Sequence, residues 1–352
     1  MKILKYLFFL LLIVVIAGAI YFATKDGKYN IQSSAVIAAP QEMIFEKANE
    51  YRTWENWGPW KKDDPAMVFN YPEKTSGEGA SYSWNSKDGD GSMKTIAVIP
   101  YSRIEQQITF NTPLGERTSD VIWEFEEVEG GTKVVWSIQG EHPLTDKAYF
   151  AIAGYDFDEE MRKMFQRGLE GLEESVKADM KVYSISVDGV TQYSGGFYMY
   201  ASSSTTLSGI SAKMGQLLGQ VDNFMKRENI TVSGKPMTIY NQYNPEGNSA
   251  IISCAIPTTS QVIVPAESSV LCGFMPSQTA IKTVLKGNYS NLEEAWNEAM
   301  KYISENGYAP DENNPPFELY ANDPGEVKNP AEWITEIYVP ILAPAAAESD
   351  SL

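Results

Sequence analysis

Histidine is nearly absent from this sequence: His142, in "GEHPLTD", is the only one among 352 residues. A chain with one imidazole cannot build a histidine-rich metal set, and most acid–base and nucleophile triads are removed with it. His142 reads as a loop residue. Cysteine is almost as scarce, with Cys254 and Cys272 alone. Two thiols are too few for a disulfide framework, and without closer spacing or nearby histidines they do not read as a metal site. They read as two small buried side chains, with a single bridge left open. Basic residues are in deficit, 28 against 46 acidic ones, for a formal charge of -18. No Lys/Arg stripe offsets this locally, so the chain repels a phosphate backbone and nucleic-acid binding by it alone is not expected. A phosphate-cradling glycine loop between strand and helix is also missing. "DGDGS" at 88–92 begins like a calcium loop, but its twelfth position is Ile99 rather than an acid, which leaves a hairpin turn. No cofactor and no metal are expected, and the sequence does not set an oligomeric state.

What is present is material for two cores. Hydrophobic residues make up 43% and aromatics 12%, with 20 Tyr, 14 Phe and 8 Trp, and the length exceeds one average domain. The first segment, "MKILKYLFFLLLIVVIAGAIYFATKDGK", carries no charge from Tyr6 to Ala23, a run just long enough to cross a bilayer as a helix. We expect a transmembrane anchor over 1–26. Lys2 and Lys5 precede the run, while Lys25, Asp26 and Lys28 follow it. This bias places the N-terminus in the cytoplasm and the domains outside it. A cleaved signal peptide is the competing reading, because Ala17-Gly18-Ala19 offers a small-x-small site.

From Lys28 the pattern reads strand, then a helix over "PQEMIFEKANEYRTWENWGPW", then strands with period-2 alternation. Ala80, Tyr82 and Trp84 share a face, as do Ile104, Ile108 and Phe110, then Val121, Trp123 and Phe125, then Val134, Trp136 and Ile138. The intervening positions are largely polar, the mark of an antiparallel sheet with one wet face. The period then changes to helical in "DFDEEMRKMFQRGLEGLEESV", whose apolar stripe includes Gly168. A glycine there suits either close packing or a cavity. The order, with "GEGASYSW", "GSMKTIAVIPYSRIEQQITF" and "GTKVVWSIQG", resembles the START-like superfamily, specifically its polyketide cyclase/dehydrase-like (SRPBCC) members, over 27–180. The resemblance implies a helix-grip fold around an apolar cavity. Trp84, Trp123 and Trp136, with Phe110 and Met164, either line that void or fill it.

The second half compares with itself at a period of about 80 residues. "GKPMTIYNQYNP" parallels "NPPFELYANDP", and "SAIISCAIP" parallels "EWITEIYVP"; a strand and a helical stretch precede each pair. Two strand–helix–hairpin repeats should form one sheet with pseudo-twofold symmetry and both helices on one side. The stretch "AIKTVLKGNYSNLEEAW" and the terminal "WITEIYVPI" resemble the GyrI-like effector-binding family over 181–342. In that family small aromatic or cationic molecules enter the groove between the repeats, and a glutamate on the last strand binds them; the resemblance places that role on Glu336. No DNA-reading helical module precedes this half, a departure from the activators that carry such a domain.

Alternation in "WITEIYVPIL" sets Glu336 between Ile334 and Tyr338, where it is either a solvated residue on an open face or a pocket acid. Aligning Pro257 with Pro340 puts Ser253 opposite Glu336 and Ala255 opposite Tyr338, so the groove is asymmetric. Candidate walls are Tyr198, Tyr200, Tyr320, Trp333 and Tyr338. The expected architecture is therefore α+β: a transmembrane helix, a START-like helix-grip domain, a GyrI-like domain of two pseudo-symmetric repeats, and a disordered tail at 343–352. The expected function is a membrane-tethered binder or sensor of a small hydrophobic, aromatic or cationic amphipathic molecule, with a pocket in each domain. The alternative is a hydrolase or isomerase using Glu336 as acid/base with a tyrosine as proton donor.

Overall fold

The computed structural model describes residues 2–342 apart from 88, 113, 114 and 323, so the tail at 343–352 lies outside the described residues. The chain is mixed α+β and divides after Asp179 into two compact units. Its first element, α1 (Lys2–Ala23), is long and apolar enough to cross a membrane, and no residue of Ile3–Ala23 is buried.

The first unit continues with β1 (Lys28–Ile37) and α2 (Gln41–Asn49). The single helix expected over 40–60 is broken. Glu50 turns extended, at φ -99° and ψ 106°, to bridge Ser76, and the Tyr51 amide donates to the Thr75 carbonyl at 3.0 Å. After a 3-10 turn come α3 (Trp54–Trp57) and α4 (Trp60–Asp63), separated at Gly58-Pro59, where the proline ring forces the preceding residue out of helical geometry. The strands β2 (Val68–Asn70), β3 (Ser81–Asn85), β4 (Asp90–Ile99), β5 (Arg103–Thr112), β6 (Gly115–Val128) and β7 (Gly131–Glu141) complete a seven-stranded sheet in the order β1-β7-β6-β5-β4-β3-β2, antiparallel throughout. Two helices follow, α5 (Leu144–Ala153) and α6 (Phe157–Asp179); α6 packs on β1, α2 and α3.

The core of this unit is aromatic. Trp54, Trp57, Trp123 and Trp136 are all buried, and Trp123 and Trp136 stack with ring centroids 4.2 Å apart. Gly168 answers to close packing: a Cβ there would fall 2.5 Å from Cζ3 of Trp136. One turn on, a Cβ at Gly171 would meet the Trp57 carbonyl oxygen at 2.1 Å, so α6 approaches the sheet and α3 through its glycines.

The second unit comprises β8 (Ser184–Tyr193), β9 (Gly196–Thr205), α7 (Ile210–Arg227), β10 (Met237–Asn244), β11 (Ser249–Thr258), β12 (Leu271–Met275), β13 (Gln278–Lys286), α8 (Leu292–Glu305), β14 (Phe317–Tyr320) and β15 (Ile334–Pro340). They form an eight-stranded sheet in the order β12-β9-β11-β10-β14-β15-β13-β8. The runs β9-β11-β10 and β13-β15-β14 mirror each other about the β10–β14 pair. Helix α7 packs on β9 and β11, and α8 on β13, β8 and β15. Alternation in each strand therefore serves two cores: Ile252, Cys254 and Ile256 face α7, Ile337, Val339 and Ile341 face α8, and Ala255 with Tyr338 faces the other side of the sheet. Cys254 and Cys272 are free thiols; burial pushes Cys254 up to about 11.

Candidate functional site

The central strands β10 and β14 pair antiparallel with Met237 opposite Leu319, Thr238 opposite Glu318 and Ile239 opposite Phe317. An acid thus sits at the centre of symmetry, beside the threonine that is its own repeat counterpart. Met237, Ile239 and Phe317 belong to the helix-free face, so Thr238 and Glu318 point toward the helices. Glu318 is 1% exposed. Its Oε1 accepts from the Tyr240 hydroxyl at 2.9 Å and from the Trp296 indole N–H at 2.7 Å; its Oε2 accepts from the Tyr320 hydroxyl at 2.8 Å. Tyr320 also lies 3.0 Å from Thr238 Oγ1 and touches Met214 of α7, while Trp296 comes from α8, so α8 reaches the acid directly and α7 through Tyr320.

Among the described residues no lysine or arginine pairs with Glu318. Burial drives its carboxyl above the usual range, with the hydrogen bonds from Trp296, Tyr320 and Tyr240 pulling the other way. Burial, reinforced by the neighbouring carboxylate, also raises the Tyr240 and Tyr320 hydroxyls. A desolvated acid with no basic partner among the described residues is stabilised either by keeping its proton or by a positive charge brought beside it. The repeat comparison contained its signal, since "KPMTIY" against "PPFELY" sets Glu318 against Thr238.

Glu336 lies elsewhere. It shares the helix-free face with Tyr338, Tyr198 and Tyr200 and has company already: Lys282 Nζ is 2.9 Å from Oε1, and the Tyr338 hydroxyl donates to Oε2 at 2.7 Å. Lys282 also reaches Asp188 at 3.5 Å. Burial, then the bond to Glu336, raises the Tyr338 hydroxyl. On this face Tyr338 stacks on Phe317 at 4.9 Å, Tyr193 stands 5.1 Å from Tyr338, and Tyr198 and Tyr200 are 5.5 Å apart. In the other repeat Ser253, facing the same way, is bonded to Ser202 at 2.8 Å and Asn241 at 2.5 Å. Two sequence candidates fall outside this face. Tyr320 belongs to the Glu318 cluster, because it lies one residue out of phase with Leu319. Trp333 precedes β15, packs on Tyr289 at 4.8 Å and donates to the Val327 carbonyl at 2.7 Å.

The first unit contains a cavity of about 210 Å³ between α6 and the sheet. Trp84, Phe110, Trp136, Met161, Met164 and Phe165 line it, and Asp64 and Ser86 supply polar groups. Trp123 is not in the lining but is stacked on Trp136. Asp64 accepts the Lys87 amide at 3.1 Å and the Ser86 hydroxyl at 2.8 Å, which holds its carboxyl below the usual value. His142 sits after β7, stacked on Tyr29 at 4.3 Å and edge-on to Phe157 at 4.6 Å; burial lowers its basicity.

No curated protein matches this chain. Among solved structures, the EcmrR C-terminal domain is 19% identical, covering 46% of this chain and 99% of its own at a TM-score of 0.39. The EcmrR–DNA complex is 18% identical over 56% of this chain and 71% of that one, TM-score 0.40. The Aha1 dimer from Colwellia psychrerythraea is 19% identical over 42% of this chain and 96% of that one, TM-score 0.31. Residues 198–342 match the GyrI-like small molecule binding domain, and the second unit of this chain is a GyrI-like domain.

Proposed function

We propose that this chain is a membrane-tethered binder or sensor of small amphipathic molecules, and that its second unit takes a cationic, flat or aromatic ligand at Glu318. The observation that carries the reading is a fully buried carboxyl without a basic partner among the described residues, held by Tyr240, Trp296 and Tyr320 at the symmetry centre of a GyrI-like domain. A ligand cation there neutralises a charge that the protein leaves uncompensated, and the indole and phenol rings offer it flat apolar area. Glu336, Tyr338, Tyr198 and Tyr200 form a second contact surface on the opposite face, weaker for cations because Lys282 already neutralises Glu336. Trp333 is a rim contact beside Tyr289.

For the first unit we propose the START-like, SRPBCC reading. Its support is the order of strand, short helices, strands and long final helix, with a cavity lined by Trp84 and Trp136 and backed by Trp123. An uncharged hydrophobic ligand suits that lining. For α1 we propose a retained anchor, supported by its apolar span, none of whose residues is buried. The orientation, N-terminus cytoplasmic and domains outside, rests on the flanking lysines.

The test is titration of lipophilic quaternary ammonium compounds and their neutral isosteres against wild type, Glu318→Gln and Glu336→Gln. Glu318→Gln should weaken cation binding by about 1.5–3 kcal/mol, the range for a charge-assisted hydrogen bond, and leave neutral isosteres unchanged. Equal cation affinity in wild type and Glu318→Gln sinks the proposal. The Tyr338–Glu336 hydrogen bond favours a second reading, a hydrolase or isomerase with that pair as proton donor and base. Turnover of a panel of small esters, lost in Glu336→Gln with binding retained, would promote it.

A further inference from the structure

The surface beside the base of α1 carries an apolar feature that neither core uses. Helix α5 has no buried residue, although its sequence, LTDKAYFAIA, is mostly apolar. Its inward side grips the domain. Asp146 accepts two hydrogen bonds from the Arg117 guanidinium, at 2.7 and 2.9 Å, and Phe150 lies edge-on to His142 at 5.0 Å and stacked on Phe157 at 5.7 Å. Lys147 donates to the carbonyl of Lys25 at 2.7 Å, just past the end of α1, and α1 and α5 pack together. The outward side carries Leu144 at 39% exposure, Tyr149 at 59% and Ile152 at 84%, followed by Tyr155 at 45%.

We propose that α5 is a membrane-surface helix whose outward face, Leu144, Tyr149 and Ile152 with Tyr155, beds into the head-group boundary of the bilayer that α1 crosses. This rests on the anchor reading of α1. Continuity supplies the argument for the occupant: α5 is tied to Lys25, two residues past the end of α1, so the plane that α1 leaves is the plane that α5 meets. Tyrosines with an apolar body and a polar tip suit that depth, and Lys25 and Lys28 suit the flank of a span. The acidic first turn of α6, Asp158, Glu159 and Glu160, follows closely in sequence and disfavours a strongly anionic surface, so the partner is a zwitterionic lipid face. Apolar contact rather than charge then supplies the attraction, and leaving such a face in water has no compensating contact.

The experiment uses the full chain in phosphatidylcholine nanodiscs, one copy per disc, with Cys272→Ser to remove the half-exposed thiol. An environment-sensitive fluorophore is attached in turn at Ile152→Cys, at Ile13→Cys inside α1, and at Val36→Cys, an exposed position roughly 26 Å along β1 from Lys28 at ~3.3 Å per residue. Nitroxide lipids labelled near the head group or near the chain terminus read depth. The Ile152 label should be blue-shifted and quenched more by the shallow nitroxide than by the deep one; the Ile13 label should show the reverse order, and the Val36 label neither effect. An Ile152 label that behaves like Val36 while Ile13 is quenched overturns the surface-helix proposal and leaves the anchor standing. A blue shift at Ile152 without lipid quenching means that protein covers the face, which also overturns it. An Ile13 label that lipid does not quench defeats the anchor reading, and the proposal with it.

Discussion

The two units solve the same packing problem in different ways. The first gathers its largest side chains on one side of its sheet, under a single long helix, and Trp54, Trp57, Trp123 and Trp136 touch one another there. The second divides its apolar residues among three clusters, one under each helix and one on the opposite face, and uses smaller side chains such as Ala201, Ala255, Ala280 and Ala299. A void of about 210 Å³ lies beside the first unit's rings, under its long helix. The second unit instead buries an acid, Glu318, at the centre of its sheet. One unit thus leaves apolar space beside its rings, and the other a buried carboxyl with no basic partner among the described residues.

Trp136→Ala should sharpen this contrast most. It removes the ring that stacks on Trp123 and stands 4.5 Å from Phe165, and a loss of about 3–5 kcal/mol is expected. Denaturant melts of wild type and variant, followed by pulse proteolysis, should show the loss confined to residues before 180; a matching loss in the second unit would break the separation of the two cores. Gly171→Ala comes next. Alanine favours a helix by about 1 kcal/mol over glycine, yet the new Cβ would collide with the Trp57 carbonyl, so net destabilisation of about 1–3 kcal/mol is expected. A stabilised variant in the same melt would show that α6 can shift and that the packing is looser than the geometry states.

Glu318 should give the second unit a pH dependence of its own. Its carboxyl is raised in the folded state, so the folded form keeps its proton to higher pH than the unfolded chain. The stability this group contributes is present in full below the unfolded value and lost as pH rises through the folded one. Permanent cations should bind more tightly over the same rise, as they compete with that proton. Melts and titrations of Glu318→Gln across the range should lose both slopes; slopes that persist would assign them to another group. The smallest effect is expected at Glu336→Gln. Side chains of Lys282 and Glu336 are 22% and 21% exposed, and a partly wet pair of this kind contributes about 1 kcal/mol or less. A larger loss would mean that the pair organises the aromatic face around Tyr338.

Local pattern carried much of the first unit's reading. The alternation through Val121, Trp123, Phe125 and Val134, Trp136, Ile138 shows directly as buried faces, because a strand's side chains obey period two whatever packs on them. The break at Glu50 was not legible, since helical spacing continues through it and the cause is a bridge to Ser76, distant in the chain. Self-comparison set Ser253 against Glu336 and Ala255 against Tyr338, and these do face one way. Cross-strand partners were beyond it. That Lys282 would occupy Glu336 depends on the register of β13 against β15, and that Tyr240, Trp296 and Tyr320 would converge on Glu318 depends on where a helix and two strands meet. By itself, then, the sequence determined an apolar first helix, a change of period and repeat near 180, and one acid, Glu336, set between Ile334 and Tyr338. Only the tertiary structure decided which acid has a basic partner, because neutralising a charge takes a neighbour in space, and chain order does not encode that neighbour.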